Sequence, residues 1–174
     1  MEKIIIDSET LKRTIRRISY EILEKNNSIE NVVLIGIKTK GINLAKIIQY
    51  NILHIEGIKL NLGSIDISPY RDDIKSDISK EINKETVPFS IEDKIVILID
   101  DVLYTGRTIR AAMDAIMDLG RPKRIELTIL IDRGHRQLPI KANYIGKNIP
   151  TSEDELIKVI LTDLSADDKV LIIK

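Results

Sequence analysis

Along the chain, short uninterrupted apolar runs alternate with longer stretches whose apolar residues recur every third or fourth position. That order predicts buried parallel strands joined by amphipathic helices. Three runs read as strands covered on both faces: Val32–Gly36 after Asn31, Ile95–Ile99 and Ile125–Ile131. The second is expected at the centre of the sheet. At about 100° per residue, Leu11, Ile15, Ile18 and Ile22 share one narrow stripe of a helix that ends near Asn26-Asn27, with Asp7, Ser8 and Thr10 as alternative N-caps. A second helix, Ile42 to about His54, turns Leu44, Ile47, Ile48 and Ile52 inward. A third, Thr108 to Leu119, buries Ile109, Ala112, Met113 and Ile116 before Gly120 and Pro122 stop it.

Elsewhere the pattern is less regular. Ile58, Leu60 and Leu62 alternate in one phase, Ile65 and Ile67 in the other, which predicts a bulge at Gly63. From Tyr70 to about Lys84 only Ile74, Ile78 and Ile82 interrupt a polar stretch. So little apolar surface predicts a mobile, functional loop over about 70–88. Ile4–Ile6, Leu156–Leu161 and Val170–Ile173 are further short strands, the last two finishing the sheet or a hood. The fold class expected is α/β, one domain over 1–174.

Composition narrows the function classes. With 43% hydrophobic and 31% charged residues the chain is neither disordered nor membrane-like. The opening MEKIIIDSET has no signal-peptide plan, so a cytoplasmic protein with no membrane partner is expected. The absence of cysteine excludes disulfides, thiolate metal sites and a cysteine nucleophile. Formal net charge is zero, so nucleic acid has to be met by a local patch. The first helix offers one: Lys12, Arg13, Arg16, Arg17 and Tyr20 gather opposite the apolar stripe. A solvated face and a phosphate-tracking face are both open readings.

The densest chemistry follows the central run, in IVILIDDVLYTGRT from Ile95 to Thr108. Ligands of open α/β sheets bind at the carboxyl ends of strands, and a helix N-terminus beyond adds unpaired N–H groups. Thr105 and Thr108 bring hydroxyls, Gly106 a close backbone and Arg107 a charged donor, which together suit a phosphate. Asp100 and Asp101 have the wrong sign for that phosphate; as acceptors they suit vicinal sugar hydroxyls or a hydrated cation. The ligand implied is a phosphorylated ribose. Arg133 and Arg136, after the next strand, should face the same cleft, while His135 is given no catalytic role.

This module resembles the phosphoribosyl-pyrophosphate (PRPP) signature of the type I phosphoribosyltransferases. With GIKTKGINLA (Gly36–Ala45), DISPYRDD (Asp66–Asp73) and LIDRGHRQLPIKANYIGKNIPTS (Leu130–Ser152), the chain is similar from about residue 10 to 155 to a bacterial branch of that family. Members of that branch are uracil phosphoribosyltransferases that also attenuate pyrimidine operons. The resemblance implies a mostly parallel sheet with a small hood at about 133–160. It assigns Lys38, Thr39, Lys40 and Gly41 to a pyrophosphate loop, where family members usually carry arginine at the Lys40 position. It places Tyr70, Arg71, Asp72 and Asp73 on the flexible loop that closes over PRPP, and Asp100, Asp101, Thr105, Gly106, Arg107 and Thr108 on PRPP itself.

For catalysis the resemblance points to Asp100, Asp101 and Arg133, with Mg²⁺ held through PRPP and not by direct protein ligation. Uracil or its nucleotide falls to Arg133, Arg136, Tyr144 and Ile145; core packing is the other reading of Tyr144. Tyr104 stands where purine-specific relatives commonly carry an acid, which favours uracil. The partners implied are PRPP, uracil, UMP or UTP, the leader RNA of a pyrimidine operon at the basic helix face, and further copies of the chain in a dimer or tetramer. A salvage enzyme without an RNA role, and a regulator with negligible catalysis, are the competing readings.

Overall fold

The three aliphatic runs lie side by side in one parallel sheet. A computed structural model describes residues 1–72 and 86–174. In it β2 (Val32–Ile37), β4 (Ile95–Leu103) and β5 (Arg124–Asp132) are flanked by β3 (Asn61–Ile65) and β6 (Tyr144–Asn148), in the order β3-β2-β4-β5-β6. Every pairing is parallel, so all five carboxyl ends reach the same edge. Alternate residues serve opposite faces. Val32, Leu34, Ile97 and Ile99 pack under α1 (Ser8–Lys25) and α2 (Lys40–Glu56); Val33, Ile35, Val96, Leu98 and Ile129 pack under α3 (Arg107–Leu119). Burial on both sides is why these strands read as unbroken apolar runs. Of the three N-cap choices for α1, Asp7 is used: its Oδ1 accepts from the Thr10 N–H at 2.8 Å.

A second, antiparallel sheet joins the two ends of the chain, with β1 (Glu2–Ile6), β8 (Lys169–Ile173) and β7 (Leu156–Ile160) in the order β1-β8-β7. Its Ile6, Ile157, Val159 and Val170 enter the core on the α1–α2 side. The bounds expected for the hood, 133–160, span parts of both sheets. Within those bounds β6 is the fifth strand of the main sheet, and the small sheet draws one strand from the N-terminus. No bulge marks Gly63, because β3 runs in unbroken register with β2 from Asn61 to Ile65. Leu62 packs on the α1–α2 side and Ile65 on the α3 side, so the phase change marks a strand covered on both faces. β4 outruns its aliphatic stretch, passing through the acidic pair to Leu103 because Val102 and Leu103 still pair with Ile131 and Asp132. Most of the expected flexible loop, Asp73 included, lies outside the described residues.

Tyr144 and Ile145 open β6, at the amino end of the strand and away from the edge where the carboxyl ends gather. This corrects the expectation that they hold the base. Tyr144 is 3% exposed; its hydroxyl donates to Glu126 Oε2 at 2.5 Å and accepts from Asn26 Nδ2 at 3.1 Å. Arg124 completes the network, with Nε to Glu126 Oε1 at 2.8 Å and Nη2 to Asn26 Oδ1 at 2.7 Å. Burial pushes the Glu126 carboxyl up, but hydrogen bonds from Tyr144, Arg124 and Asn26, with the Lys25 charge, hold it net below the ordinary glutamate range. Ile145 packs half-buried against the α3-side core.

Tyr144→Phe removes one donor to that buried carboxylate and is expected to cost about 1.5–3 kcal/mol at pH 7. Because the folded carboxyl binds its proton less tightly than in the unfolded chain, the contribution is whole above the ordinary glutamate range. It is lost as pH falls through the folded value. Urea unfolding at pH 7 and pH 3.5 checks this: the gap between variant and wild type should narrow in acid.

Candidate active site

Four loops meet where the sheet ends: 38–41 after β2, 66–72 after β3, 104–108 after β4 and 133–136 after β5. Two adjoining cavities lie among them. One of about 310 Å³ is lined by Lys38, Thr39, Lys40, Asp100, Asp101 and Thr108. The other, about 300 Å³, runs along Leu103 to Ile109, and Arg71 borders both. The structure thus gathers the expected pyrophosphate loop, acidic pair and Thr-Gly-Arg-Thr turn around one cleft.

Asp100 is 8% exposed, since its strand is covered on both faces up to that residue. Burial, and then the neighbouring Asp101 charge, push its carboxyl well above the ordinary aspartate range. Its Oδ1 accepts from the Asp101 N–H at 2.9 Å, and Asp101 Oδ1 accepts from the Val102 N–H at 2.8 Å. Asp101 is the more open of the pair and lies 3.7 Å from the ammonium of Lys40. Lys40 reaches it from the first residue of α2. Gly41 permits that approach, because a Cβ there would stand 2.4 Å from the Ile99 carbonyl oxygen.

Gly106 is the N-cap of α3 at φ 94°, a left-handed conformation that suits glycine. Gly106 has no side chain to cap the helix; Thr105 Oγ1 accepts the Arg107 N–H at 3.3 Å, and the first turn of α3 lines the cavity beside Thr105 and Thr108. Arg107 lines this cavity and is also tied to two neighbouring segments. Its Nη1 donates to Asp72 at 3.0 Å and its Nε to Gln137 at 3.0 Å, so it fastens the 66–72 loop and the 133–140 segment to α3. Tyr70 ties the same loop down, donating to Asp118 at 2.6 Å; burial and that bond push its hydroxyl up to about 12.

Arg133 and Arg136 are placed at the cleft's edge but are committed internally. Arg133 is 5% exposed; its Nε donates to Thr151 Oγ1 at 2.9 Å and its Nη2 to the Ser152 carbonyl at 3.1 Å. Its guanidinium lies 4.0 Å from the Tyr104 ring centroid, a cation–π contact. Arg136 clamps Asp132, the Tyr104 carbonyl and the Ile140 carbonyl. Two of the five N–H donors of Arg133 and three of those of Arg136 are engaged in these bonds, which fix both guanidiniums against the protein. The residues missing from the sequence reading are Thr151 and Ser152, the partners of Arg133, and Gln137, the partner of Arg107. Asp132, which holds Arg136, carried a signal as the first polar residue after a buried run.

On α1 the basic residues divide. Arg17 donates to Glu21 at 2.5 Å and to the carbonyls of Ile145 and Gly146 at 3.2 and 2.5 Å, which pins α1 to β6 while the side chain stays 47% exposed. Lys12 pairs with Glu9 at 3.1 Å. Arg13 and Arg16 are exposed, and Arg16 lies 6.0 Å from the ring centroid of Tyr20.

The family profile described as Phosphoribosyl transferase domain matches residues 3–168. A protein named Bifunctional protein pyrR from Enterococcus faecalis is 53% identical over 173 residues, covering 99% of this chain and 97% of that one. Bifunctional protein PyrR of Caldicellulosiruptor bescii is 52% identical over 176 residues, covering 99% and 96%. Among solved structures, a hypoxanthine phosphoribosyltransferase from Staphylococcus aureus superposes with a TM-score of 0.69 at 22% identity, over 89% of this chain and 79% of that one. At that identity the likeness speaks for the fold alone. Profile and relatives together establish that the chain belongs to the phosphoribosyltransferase family, in its PyrR branch.

Proposed function

We propose that this protein transfers the phosphoribosyl group of PRPP to uracil, giving UMP and pyrophosphate, and that uridine nucleotide in the same cleft controls its binding to the leader RNA of a pyrimidine operon. The observation that carries the reading is one cleft in which the pyrophosphate loop, the acidic pair and the Thr-Gly-Arg-Thr turn converge, in a chain more than half identical to proteins named bifunctional. It acts in the cytoplasm as a dimer or tetramer. Among the described residues no helix is long and apolar enough to cross a membrane.

The 5-phosphate of PRPP fits the N-terminus of α3 between Thr105 and Thr108. Its pyrophosphate fits against Lys38, Thr39 and Lys40, and its ribose hydroxyls donate to Asp101. Two carboxylates are too few donors for a hard divalent ion. Mg²⁺ brought in with PRPP would be held near Asp100 and Asp101, and would supply charge neutralisation to the leaving group. Among the described residues no group of three or more carboxylates or imidazoles is placed to hold it alone. Lys40 offers a point charge to the departing pyrophosphate, without the two-pronged bond an arginine makes. The base falls to Tyr104, which is 38% exposed and backed by Arg133. In this arrangement Arg133 is a positioning residue.

Conversion of uracil and PRPP to UMP with magnesium tests catalysis. Asp101→Asn is expected to lower turnover on the order of 100-fold, and hypoxanthine to be a poor acceptor. The same variant should melt higher than wild type at pH 7, because one of two adjacent negative charges is gone. Asp100 is raised by that neighbour, so the repulsion exists only above the ordinary aspartate range, and the gain should vanish in acid. No UMP formation above the Asp101→Asn level would remove the enzymatic half of the proposal.

Filter or gel-shift titration of a pyrimidine-operon leader hairpin, with and without UMP, tests the regulatory half. UMP should tighten binding, Arg13→Glu and Arg16→Glu should weaken it, and the affinity should fall steeply with salt. Arg17→Glu should instead lower the melting temperature, since it frees α1 from β6. Hairpin binding indifferent to UMP and to both substitutions would leave a salvage enzyme.

A further inference from the structure

Beside the basic face of α1 runs an open groove of about 500 Å³, lined by Arg16, Tyr20, Tyr50, Asn51, His54 and Ile55. It shares no lining residue with the cleft. Tyr20 is 46% and Tyr50 60% exposed, so two aromatic rings stand in water beside a guanidinium. The Tyr50 ring stacks on the His54 imidazole with centroids 3.9 Å apart and planes 33° apart. His54 Nδ1 lies 2.8 Å from the Tyr50 carbonyl oxygen, which fixes the imidazole. Because that oxygen only accepts, Nδ1 is the donor.

The groove is also preformed. Asn51 Nδ2 donates to Ser19 Oγ at 3.2 Å, and Ser19 donates to the Ile15 carbonyl at 2.9 Å, so α2 is locked to α1 at this point. Among the described residues no carboxylate lines it.

We propose that this groove is a stacking site for an unpaired nucleobase of bound RNA, received by Tyr20 and the Tyr50–His54 pair while Arg16 meets an adjacent phosphate. The proposal rests on the RNA half of the function proposed above, and adds a base-contacting site on α2. Cations alone track a phosphate backbone, whereas exposed aromatic faces stack bases, and sequence-specific RNA recognition uses unpaired bases that can be splayed out. A second copy of the chain fits the surface less well, because a two-fold contact here would set the Arg13 and Arg16 charges of both copies against each other.

The test uses the full-length protein with UMP and a leader hairpin in which each unpaired base is replaced in turn by an abasic residue. Wild type should lose affinity at one of these positions. Tyr50→Ala should bind the intact hairpin about 5- to 150-fold more weakly, yet match wild type on the abasic hairpin that mimics the loss. The slope of log affinity against log salt should stay the same, since no phosphate contact is removed, and Tyr50→Phe should restore binding. If Tyr50→Ala and His54→Ala bind like wild type while Arg13→Glu does not, the stacking site is overturned and the RNA reading stands. If wild type does not bind the hairpin, both are overturned. A smaller sedimenting species for RNA-free Tyr50→Ala would assign the groove to a subunit contact and overturn the proposal.

Discussion

Two like charges sit side by side at the carboxyl end of a strand buried on both faces, and most of the cleft can be understood as a response to them. Asp100 is held in a site that disfavours its charge, through burial and through Asp101. An enzyme accepts such a cost where a ligand relieves it. Ribose hydroxyls donating to Asp101, and a cation shared with the substrate, would do so. The strand imposes the location: with helices over both faces, polar chemistry has room only along the edge where β2, β4 and β5 end. Gly41 and Gly106 then let two helix starts come close to that edge.

The arginines around the cleft work mainly as fasteners. Arg107 binds Asp72 and Gln137, Arg136 clamps the 132–140 segment onto Tyr104, and Arg133 sits under the Tyr104 ring. Arg17 extends the same logic outward by joining α1 to the carbonyls of β6. At its far end β6 leads into Ile149, whose N–H donates to the carbonyl of Asp132, the residue that Arg136 grips. A contiguous set of contacts therefore runs from the helix carrying Arg13 and Arg16 to the loop carrying Tyr104. The cleft proposed for nucleotide and the face proposed for RNA therefore share one frame.

Much of this was legible because it is local. The runs Val32–Gly36, Ile95–Ile99 and Ile125–Ile131 announce a buried parallel sheet, and the acidic pair followed by Thr105-Gly106 announces the cleft. What escaped depends on partners far away in sequence. Tyr144 reads equally as a base-stacking or a core residue until Asn26 and Glu126 are seen to hold its hydroxyl. Arg133 and Arg136 read as free guanidiniums until Thr151 and Asp132 are seen to hold them. The small sheet pairs residue 2 with residue 173, a pairing no local pattern encodes. β4 was drawn too short because carboxylates resemble a strand end, although pairing with β5 carries the ladder past them.

If one cleft controls one RNA face, the two ligands must be linked thermodynamically, and linkage is reciprocal. Isothermal titration of UMP into the protein, free and saturated with a leader hairpin, measures that coupling directly. The account predicts that the hairpin tightens UMP binding by the same factor by which UMP tightens hairpin binding. An unchanged UMP affinity in the presence of bound hairpin would contradict it.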